Sequence, residues 1–378
     1  MKKYIFLNLF FLFSFVLSAQ RPLSEFAEIS LLSCENGFEM YNSYGHSAVR
    51  VRDPLTDLDI VFNYGTFNDQ VPNFVFRFVQ GSVDYTLSLS PYEWFIRSYE
   101  NENRTVIEQV LNLNAEEKQK FFNRIVKNYE TDERFYRYDF FYDNCSSRIH
   151  ELLKEVFKDD LSYGKDIDEN SAETFRELID PYMKHSPWAE FGVGIIMGYP
   201  TDNIATNRQK MFLPDHMMER FDLATLHGEP LVKTKKTLFQ STPVEIKNSY
   251  LKSPLFILSL FSLFFIIISI LGFKKGKHYY SIDYFLFTLT GIIGVLFLFM
   301  WFGTRHSPTF ENMNMFWAMP LNLIALFFLK NPKIKPYLLF MLFLNVFGFF
   351  VLPQVFHIAV LPLALMMALR YYKLYKNF

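Results

Sequence analysis

Two cysteines occur in the sequence, Cys34 and Cys145, and the second stands where a thiol could be activated. Cys145 lies in the segment 142–148, YDNCSSR, at the predicted first turn of a helix. Free backbone N–H groups and the positive end of the helix dipole stabilise a thiolate at such a position, and Arg148 adds positive charge. This setting favours a nucleophile; the alternatives are a disulfide with Cys34 and a buried thiol.

A thiol nucleophile needs a base, and His46 is the candidate. It follows a glycine and opens a predicted strand in the segment 44–51, YGHSAVRV. The next strand is predicted to end at Asn63 and Tyr64, near this histidine. Adjacent strand residues point to opposite faces, so only one of the two can orient the imidazole, and the sequence leaves the choice open. No His, Cys, Asp and Glu residues have metal-ligand spacing, so we expect no metal and no cofactor.

Alternating apolar residues predict the strands that position these side chains, at 48–52, 58–64, 84–89 and 105–111, with a turn at 53–57. A helix is predicted from 115 to 129 behind the cap Asn114. A second helix begins at Cys145, capped by Asp143 or Asn144, and His150 lies off its apolar stripe and is expected to face solvent. Residues 166–250 look mixed and irregular. The predicted fold class is α+β. The stripe consists of Ile149, Leu152, Leu153, Val156 and Phe157.

Charge divides the 378-residue chain into two parts. Residues 254–378 carry 10 basic and 2 acidic residues, and residues 1–19 carry two lysines, so 20–253 holds the remaining 26 basic (38 − 10 − 2) and 37 acidic (39 − 2) residues. The composition excludes a disordered chain, and the absence of a basic excess excludes a simple nucleic-acid binder. We therefore expect an aqueous domain followed by a lipid-embedded end.

Targeting and membrane signals give the same topology. Residues 1–19 resemble a cleaved signal peptide, with an uncleaved anchor helix as the alternative. Lysines follow the first, third and fifth of the apolar runs, which places those connections in the cytoplasm and residues 20–253 in the bacterial periplasm. We expect a multi-pass protein of the inner membrane. The runs are 254–273, 283–302, 315–329, 337–352 and 355–369, which predicts about five transmembrane helices over 251–378.

The predicted external loop 303–312 carries polar residues at the level of the outer leaflet. Arg305 and His306 are candidates for binding a phospholipid headgroup, as is Arg148 beside the thiol. A solvated loop is the alternative at 303–312. The domain plan is thus a signal peptide at 1–19, a catalytic domain at 20–165, an extension at 166–250 that packs on the domain or the membrane surface, and a membrane bundle at 251–378.

Several motifs resemble one known family. The order of a histidine at a strand start before a cysteine at a helix start is similar to the circularly permuted papain-like fold of the lecithin–retinol acyltransferase type. More closely, six motifs resemble the Lnb family, the lipoprotein N-acyltransferases of Bacteroidota, with Ser147 standing where a threonine is expected. They are SLLSC at 30–34, YGHSAVRV at 44–51, FNYGTF at 62–67, DNCSSRI at 143–149, MFLPD at 211–215 and NMNMFW at 312–317, with Pro320 beyond.

The resemblance implies an activity at the membrane surface. Cys145 would take an acyl chain from a phospholipid as a thioester, His46 would move the proton, and the α-amine of a diacylglyceryl-cysteine lipoprotein would accept the chain. The implied partners are the phospholipid donor, the diacylated lipoprotein and the bilayer. Two alternatives stay open: a membrane-anchored cysteine peptidase or amidase that uses the same pair, and a non-catalytic envelope module with a Cys34–Cys145 disulfide.

Overall fold

The computed structural model describes residues 22–244 and 249–378, so the predicted signal segment 1–19 lies outside the described residues. Twelve strands lie in the N-terminal part of these described residues. They are β1 (Glu28–Cys34), β2 (His46–Asp53), β3 (Leu58–Phe67), β4 (Asp84–Pro91), β5 (Val106–Leu111), β6 (Phe135–Arg137), β7 (Leu161–Ser162), β8 (Asn170–Thr174), β9 (Ile204–Thr206), β10 (Thr225–Leu226), β11 (Glu229–Pro230) and β12 (Val232–Phe239).

Seven strands form one antiparallel sheet in the order β12-β5-β1-β2-β3-β4-β6. The four predicted strands are confirmed as β2 to β5, and the predicted turn joins β2 to β3. There the Asp53 carboxylate accepts from the Leu55 N–H, and Asp57 adopts a left-handed backbone with φ 53°. Strand β1 was not predicted, although it pairs with both β2 and β5 at the centre of the sheet.

Within residues 22–244, eight α-helices accompany the strands, and helices pack on both faces of the sheet. They are α1 (Phe74–Gln80), α2 (Tyr92–Asn101), α3 (Ala115–Glu130), α4 (Cys145–Phe157), α5 (Phe175–Met183), α6 (Pro187–Ile196), α7 (Asn207–Lys210) and α8 (Pro214–Leu223). The predicted helices at 115 and 145 are confirmed as α3 and α4. Asn114 caps α3 by accepting from the Glu117 N–H.

Strand alternation sends side chains into two separate cores. The stripe on α4 packs with α3 against one face of the sheet, which includes Val49 and Phe62. On the other face, Phe95 and Tyr99 of α2 pack against a cluster that includes Cys34. Helix and sheet combine as the predicted α+β class requires.

The segment 166–250 is more regular than the sequence predicts. It contains α5 to α8, and it ends in β12, which pairs with β5 along the edge of the main sheet. The expectation of an irregular extension is wrong because local signals start these helices. Thr174 and Thr206 cap α5 and α7 through their side-chain hydroxyls, and a proline opens each of α6 and α8.

The C-terminal part is helical, with α9 (Pro254–Lys274), α10 (Tyr280–Phe302), α11 (Asn322–Ala325), α12 (Lys335–Val351) and α13 (Val360–Lys376). Three helices of the described part are long and apolar enough to cross a membrane: Pro254–Lys274, Tyr280–Phe302 and Pro332–Val351. The apolar run 315–329 is not one helix, because Pro320 falls inside it and short turns replace the span. A total of five spans therefore stays a prediction.

Polar side chains join the helices inside this bundle. The Asn322 amide donates to the Thr290 hydroxyl at 2.8 Å, and its oxygen accepts from Tyr337 and Tyr371. Arg370, which the sequence places among the cytoplasmic charges, is fully buried. Its guanidinium is bonded to the Asp283 carboxylate at 2.6 Å, so its charge is paired within the protein.

Candidate active site

Gly45 and β2 place the imidazole of His46. Gly45 has φ +78°, and a Cβ there would lie 2.8 Å from the Cys34 carbonyl oxygen of the neighbouring strand. Only glycine fits this close turn, after which β2 begins at His46, opposite Cys34 in the register of β1. The lack of space for a Cβ therefore explains why a glycine precedes His46.

Strand β3 brings Asn63, and not Tyr64, to this histidine. Nε2 of His46 lies 3.3 Å from Oδ1 of Asn63, so the Nε2–H group donates a hydrogen bond to the amide oxygen. The Asn63 amide donates in turn to the Ser90 hydroxyl at 3.4 Å. Tyr64 points to the opposite face, where its hydroxyl donates to Asn128 at 2.8 Å inside the core. The expectation that Tyr64 could reach His46 is therefore wrong.

The start of α4 fixes Cys145. Asn144 is the cap: its Oδ1 accepts from the N–H groups of Ser146 and Ser147 at 2.9 and 3.0 Å. The side-chain N–H groups of Asn144 donate to the carbonyls of Phe140 and Phe212, both at 2.9 Å. These bonds connect the turn before Cys145 with the segment that precedes α8. The thiol is thus held at the helix start that the sequence predicts.

The thiol and the imidazole perturb one another. Burial raises the pKa of the Cys145 thiol, but the charge of His46 and hydrogen bonds from that ring, the Ser47 N–H and the Ser146 hydroxyl outweigh it, and the pKa is lowered. Burial lowers the pKa of His46, whereas the thiol and Asn63 raise it further than burial lowers it. The arrangement favours a thiolate beside an imidazolium, which is the charge pair that a cysteine nucleophile would require.

Cys34 is not bonded to Cys145. Both cysteines are free and buried, so the disulfide alternative is wrong for this structure. Burial raises the pKa of the Cys34 thiol to about 12, although a hydrogen bond from Tyr99 opposes the increase. Cys34 therefore has the properties of an inert buried thiol, and its pKa is a reference with which the pKa of Cys145 can be compared.

An open cleft of about 600 Å³ contains the pair. Aromatic side chains form a large part of its wall, among them Phe67, Phe78 and Tyr85, and polar side chains such as Asn42 and Glu102 also line it. A cleft with apolar walls and a few polar groups suits a ligand with a long apolar portion.

Two residues of this cleft were missed by the sequence reasoning. Tyr138 lines the cleft beside Gly65 and Cys145, and burial raises the pKa of its phenol well above its ordinary value, so the hydroxyl keeps its proton. Arg104 is buried, with Nη1 bonded to Glu102 at 2.8 Å, and its charge opposes protonation of His46. In the sequence, Tyr138 could have been noticed only because it belongs to the aromatic segment FYRY at 135–138, just before the cysteine motif.

The predicted binding residues lie elsewhere. Arg148 is paired with Asp143, with Nη2 and Oδ2 2.7 Å apart, and its guanidinium stacks on Tyr136, so it does not line the cleft. Arg305 is exposed, and the His306 ring nitrogen Nε2 lies 3.1 Å from the carbonyls of Phe78 and Val79. Within 22–244 and 249–378, no group of three or more His, Cys, Asp and Glu could hold a metal ion.

Fold and site together define a class: a periplasmic α+β domain with a buried cysteine–histidine–asparagine arrangement, attached to a membrane-embedded helical part. Residues 23–180 match the Lnb N-terminal periplasmic domain, and residues 245–377 match the Lnb transmembrane domain. The chain belongs to the Lnb family. It is an envelope protein of the lipoprotein-processing type, associated with the bilayer through its helices. Comparison with curated proteins and with solved structures finds no match.

Proposed function

We propose that the protein is a lipoprotein N-acyltransferase of the bacterial inner membrane. The observation that carries the proposal is the contact of Cys145, His46 and Asn63 in an aromatic cleft whose wall touches a membrane-side loop. A thiolate can hold an acyl chain as a thioester, and the aromatic wall suits the chain itself. The substrates would be a phospholipid donor and a diacylated lipoprotein acceptor.

In the first step the Cys145 thiolate attacks the carbonyl carbon of a phospholipid ester. A carbon–sulfur bond forms, the ester carbon–oxygen bond breaks, and the lysophospholipid alkoxide takes the proton of His46. In the second step the lipoprotein α-amine attacks the thioester, His46 accepts a proton from the amine, and the thiolate leaves. Asn63 is the positioning residue, since it holds the imidazole through Nε2 and leaves Nδ1 for the thiol.

The oxyanion of each step needs donors at the start of α4. Asn144 already occupies the N–H groups of Ser146 and Ser147, so the Cys145 N–H is the helix-start donor outside that cap. The Tyr138 hydroxyl, which stays protonated beside the thiol, is the second proposed donor. This arrangement also supports a permuted papain-like domain, in which the histidine strand precedes the cysteine helix.

The intermediate gives a direct test. Purified protein in phospholipid nanodiscs should carry an acyl group on the Cys145 peptide that neutral hydroxylamine removes, and Cys145→Ser should carry none that hydroxylamine removes. In a strain without other acyltransferases, the lipoprotein N-terminus should be triacylated with the wild-type protein and diacylated with Cys145→Ala. Triacylation that persists in Cys145→Ala would refute the proposal.

A peptidase or amidase would use the same thiolate with water as the acceptor. It would shorten an envelope peptide and leave lipoprotein N-termini unchanged. Mass spectrometry of the same lipoproteins therefore separates the two activities, because only the transferase adds the mass of one acyl chain.

A further inference from the structure

Helix α1 exposes apolar side chains along its length. Its sequence is FVFRFVQ, and none of its residues is buried. Val75 is 72% and Phe76 is 61% exposed, and Phe78 and Val79 are also exposed. Its one charged residue, Arg77, is directed to the domain, where it pairs with Asp84 at 3.5 Å. A continuous apolar patch of this kind marks a contact surface for an apolar partner.

The partner is indicated by where α1 ends. The Arg305 N–H donates to the Gln80 carbonyl at 3.0 Å, and His306 Nε2 donates to the carbonyls of Phe78 and Val79 at 3.1 Å. The last carbonyls of a helix have no partner within the helix, so the loop supplies donors to them; the Phe78 carbonyl also accepts from the Gly81 N–H. Arg305 stands three residues beyond Phe302, the last residue of the spanning helix α10, so Arg305 lies within about 10 Å of the point where α10 ends. The C-terminal end of α1 is hydrogen-bonded to this arginine.

Aromatic rings connect α1 with the nucleophile. Ring centroids of Phe78 and Phe67 lie 6.2 Å apart, those of Phe67 and Tyr85 lie 5.3 Å apart, and those of Tyr85 and Tyr138 lie 4.6 Å apart. Tyr138 and Cys145 both lie within about 4 Å of the Cβ position of Gly65. These rings therefore form an apolar path from one side of α1 to the Cys145 thiol.

We propose that α1 is a lipid portal. Val75, Phe76 and Val79 lie in the outer leaflet, and the path through Phe78 and Phe67 admits one acyl chain of a bilayer phospholipid to Cys145. The chemistry at the end of this path rests on the proposed function, whereas the contact of α1 with lipid does not. The aromatic rings supply dispersion contacts to the chain and keep water from its length.

Spin labels test the contact. In a Cys145→Ala background, where Cys34 is buried, nitroxides are placed by Val75→Cys, Val79→Cys and, as the matched control, Leu55→Cys. Leu55 is 68% exposed in the β2–β3 turn, at the end of β2 away from His46. In phosphatidylethanolamine and phosphatidylglycerol nanodiscs, the α1 labels should be more accessible to oxygen than to a nickel chelate, and Leu55→Cys should show the reverse. Equal, water-like accessibility at all three sites would overturn the portal.

A second experiment tests the path. Val75→Asp combined with Val79→Asp should reduce thioester formation from bilayer phospholipid at least tenfold, while Leu55→Asp should match the wild type. Alkylation of Cys145 by iodoacetamide checks that the site is intact. If bilayer reaction and alkylation fall together, α1 only supports the fold and the portal is wrong. If the wild type forms no thioester while the spin labels report lipid, the proposed function fails and the lipid contact stands.

Discussion

Removing the imidazole should make Cys145 behave like Cys34. Both thiols are buried, and His46 lies opposite Cys34 in the register of β1 and β2, but the imidazole hydrogen-bonds to the Cys145 thiol. The pKa of Cys34 is raised to about 12, whereas that of Cys145 is lowered below its ordinary value of 9.0. In His46→Ala the burial is no longer offset by the imidazolium, so the pKa of the Cys145 thiol should rise toward that of Cys34.

The size of the effect follows from the thiolate fraction. While the pKa lies above 7, each unit by which it rises lowers the thiolate population at pH 7 about tenfold, and the greater nucleophilicity of the more basic thiolate recovers about 2.5- to 3-fold. The rate of alkylation by iodoacetamide at pH 7 should therefore fall about 3- to 4-fold for each unit of that rise. The midpoint of the rate against pH should also move upward, since the thiolate now forms only at higher pH.

The assay uses a Cys34→Ser background, so that mass spectrometry follows Cys145 alone. His216→Ala is the matched control, because His216 lies on α8 outside the cleft and should leave the rate unchanged. A His46→Ala protein that is alkylated within twofold of the wild-type rate, with the same pH midpoint, would refute the thiolate–imidazolium pair.

Three further changes test neighbouring contacts. Tyr64→Phe loses the hydrogen bond to Asn128, so calorimetry should show about 1 kcal/mol less stability, with Cys145 alkylated at the wild-type rate; a slower rate would place Tyr64 in the site after all. Tyr138→Phe should slow thioester formation about 100-fold in a quench-flow assay, again with normal alkylation, and an unchanged rate would exclude it as an oxyanion donor. Asp283→Ala leaves the buried Arg370 charge unpaired, which should cost about 3–5 kcal/mol and lower the denaturation temperature in detergent; a stability equal to the wild type would show that the pair is dispensable.

Local patterns predicted the elements that carry the pair. An asparagine before a run of helix formers is enough to start α4 at Cys145, because capping depends on residues within one turn. Alternation likewise predicted β2 and β3, which carry His46 and Asn63, and the charge difference between the two parts of the chain predicted a membrane-embedded end.

Sequence patterns gave wrong predictions where a residue distant in the chain determines the surroundings of a side chain or segment. His150 lies off the α4 stripe, yet it is buried, with its ring 6.1 Å from that of Tyr163, and burial lowers its pKa to about 3. The apolar run 315–329 is also long enough to predict a helix, but Pro320 and contacts from other helices divide it into short segments.

The sequence by itself determined which residues could react and which local elements present them, since capping, alternation and hydropathy act between close neighbours. Only the tertiary structure decided that Asn63 rather than Tyr64 meets His46, that Cys34 stays unbonded, and that α1 ends against the loop at Arg305. Each of these depends on which face of a strand or helix meets a segment distant in sequence, and that choice is made by packing of the whole chain.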